Sequence, residues 1–507
     1  MLAGDVTDTW VLRLNSRLMG AVAFVQPPDH HKLKLSQINR RPLRSALFPP
    51  SLAALALACL LSTPVIAQQN ADVSIVERTL ANGLKLIVKE DNRAPTVVHM
   101  VWYRAGSIDE VNGKTGVAHA LEHLMFKGTK TIAQGEFSKR VAQFGGRENA
   151  FTNRDYTGYF QQIPKKNLSE VMTFEADRMS NLVLTREEFA KEIKVVMEER
   201  RLRTEDQANA LVYEALQANA FVASPQRAPV IGWMNDLQAM TVEDAIEWYG
   251  QWYAPNNAIV VVVGDVKADE VLRVAERTYG MAAQRALPPR KPQLEPPQKG
   301  IKRVAVKAPA ENPYVILGFH VPKLQSIDSP DREPYALEVL AAVLDADENG
   351  RLTRELVRAS TRLADSAGAS YDMTLRGQAL FLLDGTPAEG KTSAELEQAL
   401  RAQIRKIVDD GVLDSELRRV KTQYVASQVY KRDSVMGQAM ELASLEIVGF
   451  SHRDADRILE NIRTVTAAEV QAVAAKYFGD DALTVVNLLP QPLSAKPPAP
   501  ANPNLRH

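Results

Sequence analysis

The sequence predicts an α+β protein of two homologous domains, each a sheet covered on one face by helices. Three observations carry that prediction. Strand-like segments (84–88, 97–103, 304–306 and 314–321) lead into long helical stretches without regular βαβ alternation. A helix-then-strand unit occurs twice, about 225 residues apart. A proline-rich run, Leu287-Pro-Pro-Arg-Lys-Pro-Gln-Leu-Glu-Pro-Pro297, lies between the copies and reads as an extended linker.

In chain order, residues 1–67 read as an address with an N-terminal extension. Arg40, Arg41 and Arg44 precede the apolar run Leu52–Leu61, and Val65-x-Ala67 then offers a small-residue cleavage site before Gln68. Ten apolar residues are too few to span a bilayer, which takes about 20. The expectation is therefore a secretory signal and a periplasmic protein with no stable membrane span. The alternatives are a retained membrane anchor or, from the seven basic residues, a mitochondrial transit peptide. The only cysteine, Cys59, lies in this segment, so residues 68–507 have no disulfide framework.

The first domain is placed at 68–286, the linker at 287–302 and the second domain at 303–489. The repeated unit is Thr241–Tyr253 with the strand 258–263, and Thr466–Phe478 with the strand 482–486. In both, the leading Thr has an acidic residue three positions on, as a helix start prefers. So long a period makes a two-domain pseudo-repeat and not a solenoid. Residues 490–507, with six prolines, should be disordered. Lys+Arg and Asp+Glu are both 61, which gives no basic excess to argue for nucleic acid.

The chemistry centres on His119-Ala-Leu-Glu122-His123. On a helix His119 and His123 stand one turn apart on one face and can converge on a cation. Glu122 is close enough round the helix to take the proton of a metal-activated water. Two core histidines beside an incidental Glu would be the bland explanation, and only a third ligand separates the two. The candidate is the helix 188–201, where Glu192 and Glu199 are seven apart and fall within about 20° of each other. Glu188 and Glu198 read as a solvated face.

The H-x-x-E-H motif, followed some 75 residues later by a Glu-rich helix, resembles the pitrilysin/insulysin zinc metallopeptidase family. The likeness is to its shorter two-domain members, related to mitochondrial processing peptidase, and runs from about residue 75 to 488. It includes Asn82-Gly-Leu, Arg104-Ala-Gly-Ser-Ile-Asp-Glu, and Gly145-Gly-Arg-Glu-Asn149-Ala-Phe-Thr152 with Asp155 and Thr157. The resemblance implies mostly antiparallel sheets in two domains facing each other across a chamber, and one Zn(2+) per chain. It makes His119, His123 and Glu199 the ligands, with Glu198 the alternative third, Glu122 the base and Glu192 the support. It also implies that Asn149, Ala150, Phe151 and Thr152 form an edge strand which peptide substrates join.

Aligned on the repeat, Tyr335-Ala-Leu-Glu338-Val339 stands opposite the metal motif, with both histidines lost and no Glu between Glu416 and Glu441. Only the first half can hold the metal. Active relatives use an Arg and a Tyr from the second domain to grip substrate, but seven residues beyond Arg358 stands Asp365, and seven before Tyr371 stands Ala364. The expected partner is thus a homologous zinc-less subunit supplying that pair in a heterodimer; the rival is a homodimer. The function expected is an exported zinc endopeptidase for peptides or unfolded segments. The competing readings are a non-catalytic assembly subunit of the same fold and a peptide-binding, chaperone-like module.

Overall fold

The computed structural model describes residues 75–493; the expected signal segment and most of the C-terminal tail lie outside them. Two mixed sheets form the frame. The first has the order β1-β2-β6-β3-β5-β4, with β1 Ile75–Thr79, β2 Lys85–Glu90, β3 Thr96–Tyr103, β4 Arg147–Thr152, β5 Thr157–Pro164 and β6 Ala258–Gly264. The second has the order β7-β11-β8-β10-β9, with β7 Lys302–Pro309, β8 Tyr314–Val321, β9 Ala364–Ser370, β10 Ala379–Pro387 and β11 Leu483–Gln491. All pairings are antiparallel except β2–β6 and β7–β11. The two sheets are the same design, because β8, β9, β10 and β11 take the places of β3, β4, β5 and β6.

Six helices matter here: α1 Val117–Leu124, α2 Arg186–Arg200, α3 Ala208–Ala220, α4 Glu333–Asp345, α5 Asp414–Lys431 and α6 Val435–Val448. α4 follows β8 as α1 follows β3, so the helix carrying Tyr335 and Val339 takes the place of the one carrying the two histidines. Both of those second-half side chains are buried. The repeated helix starts are true capping boxes, Thr241 with Asp244 and Thr466 with Glu469.

The halves exchange helices. α3, from the first half, lays Val212 and Leu216 against Ile316, Val486 and Leu488 of the second sheet. α6, from the second, lays Ala439, Leu442, Ala443 and Ile447 against Ile87, Val98, Met100, Trp102 and Val261 of the first. Each sheet is therefore covered on both faces, not on one as expected from the order of elements. That explains the unbroken apolar run of β6, since Val260 and Val262 enter the helix-side core while Ile259, Val261 and Val263 meet α6. The exchange is pinned at its end by Arg104, whose guanidinium donates to the carbonyls of Ile447 (2.9 Å) and Glu446 (2.8 Å) at the C-terminus of α6.

Two boundaries shift. Pro490 and Gln491, assigned to a disordered tail, continue β11 beside Ala308 and Pro309 of β7. Lys302, assigned to the linker, already opens β7; residues 287–301 carry no helix or strand but are tied down, Glu295 accepting the N–H groups of Val222 and Ala223 and Arg290 pairing with Asp109 at 2.7 Å.

Candidate metal centre

The site begins with how α1 is started. Gly116 adopts a left-handed conformation (φ 86°), and a Cβ there would meet the Ile231 carbonyl at 2.5 Å. Glu110 accepts the free N–H groups of Gly116 and Ala118, each at 2.9 Å, which caps the helix. Val117, Ala118, Leu121 and Leu124 pack into the first-half core. The opposite face carries His119 and Glu122, each 1% exposed, and His123.

α2 crosses this face. Its N-cap is Thr185, whose hydroxyl accepts the Glu188 N–H. Glu199 Oε2 lies 3.2 Å from His123 Nε2 and 3.9 Å from His119 Nε2, and the two imidazoles stand 4.8 Å apart centre to centre. Of the adjacent acids, Glu198 is 58% exposed and pairs with Arg201, so the structure brings Glu199 and not Glu198 to the histidines. Glu192 accepts from His123 Nδ1 at 3.0 Å and holds Lys127 at 2.5 Å. Lys127 and Arg203, which sits 2.8 Å from Glu199 Oε1, went unread in the sequence. Each lies four residues beyond a site residue, and that spacing was the available signal.

This donor set fits a divalent cation. His119 Nδ1 and Nε2 and His123 Nε2 are buried without a hydrogen bond, and the three ligating atoms lie within 4.8 Å of one another. Burial, with the second imidazole beside it, pushes His119 down to about 3, so it stays neutral and able to ligate. Burial would also depress His123, but Glu192 and Glu199 outweigh it and lift it to about 9. Before a cation binds, His123 therefore carries a proton on each nitrogen; a cation would displace the one on Nε2, while Glu192 holds Nδ1 at 3.0 Å. Burial raises Glu122 to about 7, against the pull of His123 and Thr152. A second cluster, Glu77, Glu446 and His452, already holds a cation of its own: Lys85 Nζ lies 3.0 Å from Glu77 and 2.6 Å from Glu446.

β4 is the edge of its sheet, as expected. Most of its side chains are turned inward, which leaves backbone pairing as the way a peptide could join it. Ala150 (1% exposed), Phe151 (3%) and Thr152 (0%) point into the protein, because the strand is covered on both faces. Phe151 packs in the core under α6, Ala150 in the core under α1, and Thr152 donates to Glu122. Asn149 is half-buried, with its Oδ1 on the Ala150 N–H. Only the backbone edge of β4 is left to meet a peptide. Beside its end, Arg376 of the second half is fixed bidentately by Asp109 (2.7 and 2.9 Å) and by the Asp155 carbonyl at 2.6 Å.

Two histidines and a glutamate around one point, with Glu122 on the histidines' own helix, have the arrangement of the inverted zincin motif. Residues 85–232 match the family described as "Insulinase (Peptidase family M16)", and residues 239–424 the family described as "Peptidase M16 inactive domain". The zinc protease PqqE of Helicobacter pylori is 31% identical over 421 residues, spanning 81% of this chain and 92% of that protein. The crystal structure of a protease from the same organism superposes with a TM-score of 0.77 at 30% identity, covering 82% of this chain and all of the other. The periplasmic protease PqqL of Escherichia coli shares the fold, with a TM-score of 0.70 at 18% identity over 84% of this chain and 49% of that one. The chain belongs to the insulinase family, peptidase family M16, whose matching relatives are named zinc proteases.

Proposed function

We propose that this protein is an exported zinc endopeptidase that cleaves peptides or unfolded segments, with Glu122 as general base and one zinc per chain held by His119, His123 and Glu199. The observation that carries it is the convergence of those three side chains beside a buried glutamate with one oxygen still unbonded. Zinc bound there supplies Lewis acidity to a water and to the scissile carbonyl. Glu122 takes the water's proton on Oε1 and returns it to the leaving amine. Glu192 holds His123 through Nδ1, which leaves Nε2 to face the metal. The free edge of β4 takes the peptide as an added strand, so affinity comes from backbone pairing.

Export rests on the basic cluster, apolar run and cleavage pattern of residues 40–67. Among the described residues no helix is long and apolar enough to cross a membrane. The second half offers no Arg/Tyr grip at the expected spacing. Arg358 is on the surface with Glu348, Asp365 pairs with Arg362, and the Tyr371 hydroxyl donates to the Pro322 carbonyl. A homologous zinc-less partner supplying that pair is therefore part of the proposal.

The test is Glu122→Gln, assayed on an unfolded peptide alone and after co-expression with a zinc-less homologue. Wild type should cleave in a chelator-sensitive way and gain at least about tenfold from the partner. The variant should keep its zinc and lose cleavage in both settings. Wild-type turnover by the variant would refute the base, and full activity of the lone chain would refute the division of labour.

A further inference from the structure

Behind Glu122 runs a short series of hydroxyls that the proteolytic reading does not use. Thr152, the last residue of β4, is fully buried, and its Oγ1 lies 2.5 Å from Glu122 Oε2. Thr157, opposite it at the start of β5, has its Oγ1 3.4 Å from that of Thr152 and 3.0 Å from the Ala105 carbonyl oxygen.

Counting protons orients the series. A carbonyl only accepts, so Thr157 gives its single proton to Ala105, and its oxygen can then only receive. Thr152 also has one proton, with Glu122 at 2.5 Å and Thr157 at 3.4 Å to choose between. The shorter separation decides for Glu122. This is the one hydrogen bond that Glu122 makes among the described residues, and Oε1 is left without any.

We propose that Thr152 is a positioning residue for peptide hydrolysis: by holding Oε2 it sets the plane of the Glu122 carboxylate and presents Oε1 to the reacting water. The claim rests on the reading of Glu122 as base. The terminal torsion of a glutamate is broad and roughly two-fold, so packing alone does not select one carboxylate orientation. Proton transfer needs a heavy-atom separation of about 2.6–3.2 Å, and a misplacement of about 1 Å can cost 100-fold. Thr152 suits the task because it is β-branched, stiff at χ1 and carried by a strand paired to β5.

The rival is that Thr152 merely fills space under α1, in which case an isosteric valine should lower stability and leave turnover alone. The experiment compares Thr152→Val and Thr152→Ser with wild type. It reads kcat and KM on an unfolded peptide, zinc by elemental analysis, and the melting temperature of the metal-free protein. Valine should keep its zinc and hold KM within about twofold while kcat falls about 10–100-fold, the loss of one hydrogen bond to a charged group. Serine should restore kcat to within about threefold. If valine unfolds the protein, Thr152→Ala is read by the same criteria.

Wild-type kcat in both the valine and alanine variants, or a kcat loss that serine leaves unrepaired, overturns the assignment. Should Glu122→Gln itself retain turnover, the base reading fails first; should only Thr152→Val retain it, the positioning claim alone falls.

Discussion

Removing Glu192 tests how much of the metal affinity comes from outside the ligand set. Glu192→Ala takes away the acceptor 3.0 Å from His123 Nδ1 and the carboxylate that holds Lys127. No ligand is lost, but the His123 ring loses the contact that fixes its tautomer and rotation. Lost partners of this kind cost about 10–100-fold in metal affinity, equivalent to about 1.4–2.7 kcal/mol. Lys127, whose side chain is 21% exposed, can turn to water, so little is added on its account. A competition titration against a chromophoric chelator should show the zinc Kd raised by that factor. The gap in stability between zinc-loaded and metal-free protein should narrow by the same 1.4–2.7 kcal/mol, or about that, under saturating zinc. Lys127→Met keeps the Glu192–His123 contact and should shift the Kd by less than about threefold. Wild-type affinity in Glu192→Ala, or equal damage from Lys127→Met, would refute the reasoning.

The adjacent acids on α2 separate cleanly: Glu199→Ala should lose zinc by elemental analysis, while Glu198→Ala, truncating a side chain that faces solvent, should keep it. Glu446 governs an acid-sensitive tie between the halves. Burial would raise its carboxyl, but His452 and Lys85 bring it down to about 2. Its stabilisation is therefore present above the ordinary glutamate value of about 4.3 and is lost as pH falls toward about 2. Urea denaturation should find Glu446→Gln less stable than wild type at pH 7, with the gap shrinking steadily below pH 4.5; a constant gap would contradict the assignment.

What the sequence determined by itself was whatever depends on neighbours along the chain. The one-turn spacing of His119 and His123, the position of Glu122 beside them and the capping boxes at Thr241 and Thr466 are set by helix geometry over four or five residues. The loss of the same residues at Tyr335 and Val339 was legible because α1 and α4 come from one repeated pattern. Tertiary structure decided the rest. Glu198 and Glu199 are equally helical, and only the crossing of α2 over α1 selects Glu199.

The exchange of α3 and α6 was hidden in the sequence because an apolar helix face does not say which sheet will cover it. That exchange covers the face of the first sheet opposite α1 and so buries Phe151, while Thr152 is buried on the other face under α1. Thr152 and Glu122 are thirty residues apart, and their hydroxyl–carboxylate bond exists only because β4 packs beneath α1. Contacts of that range depend on how layers stack, which periodicity along a single segment does not encode.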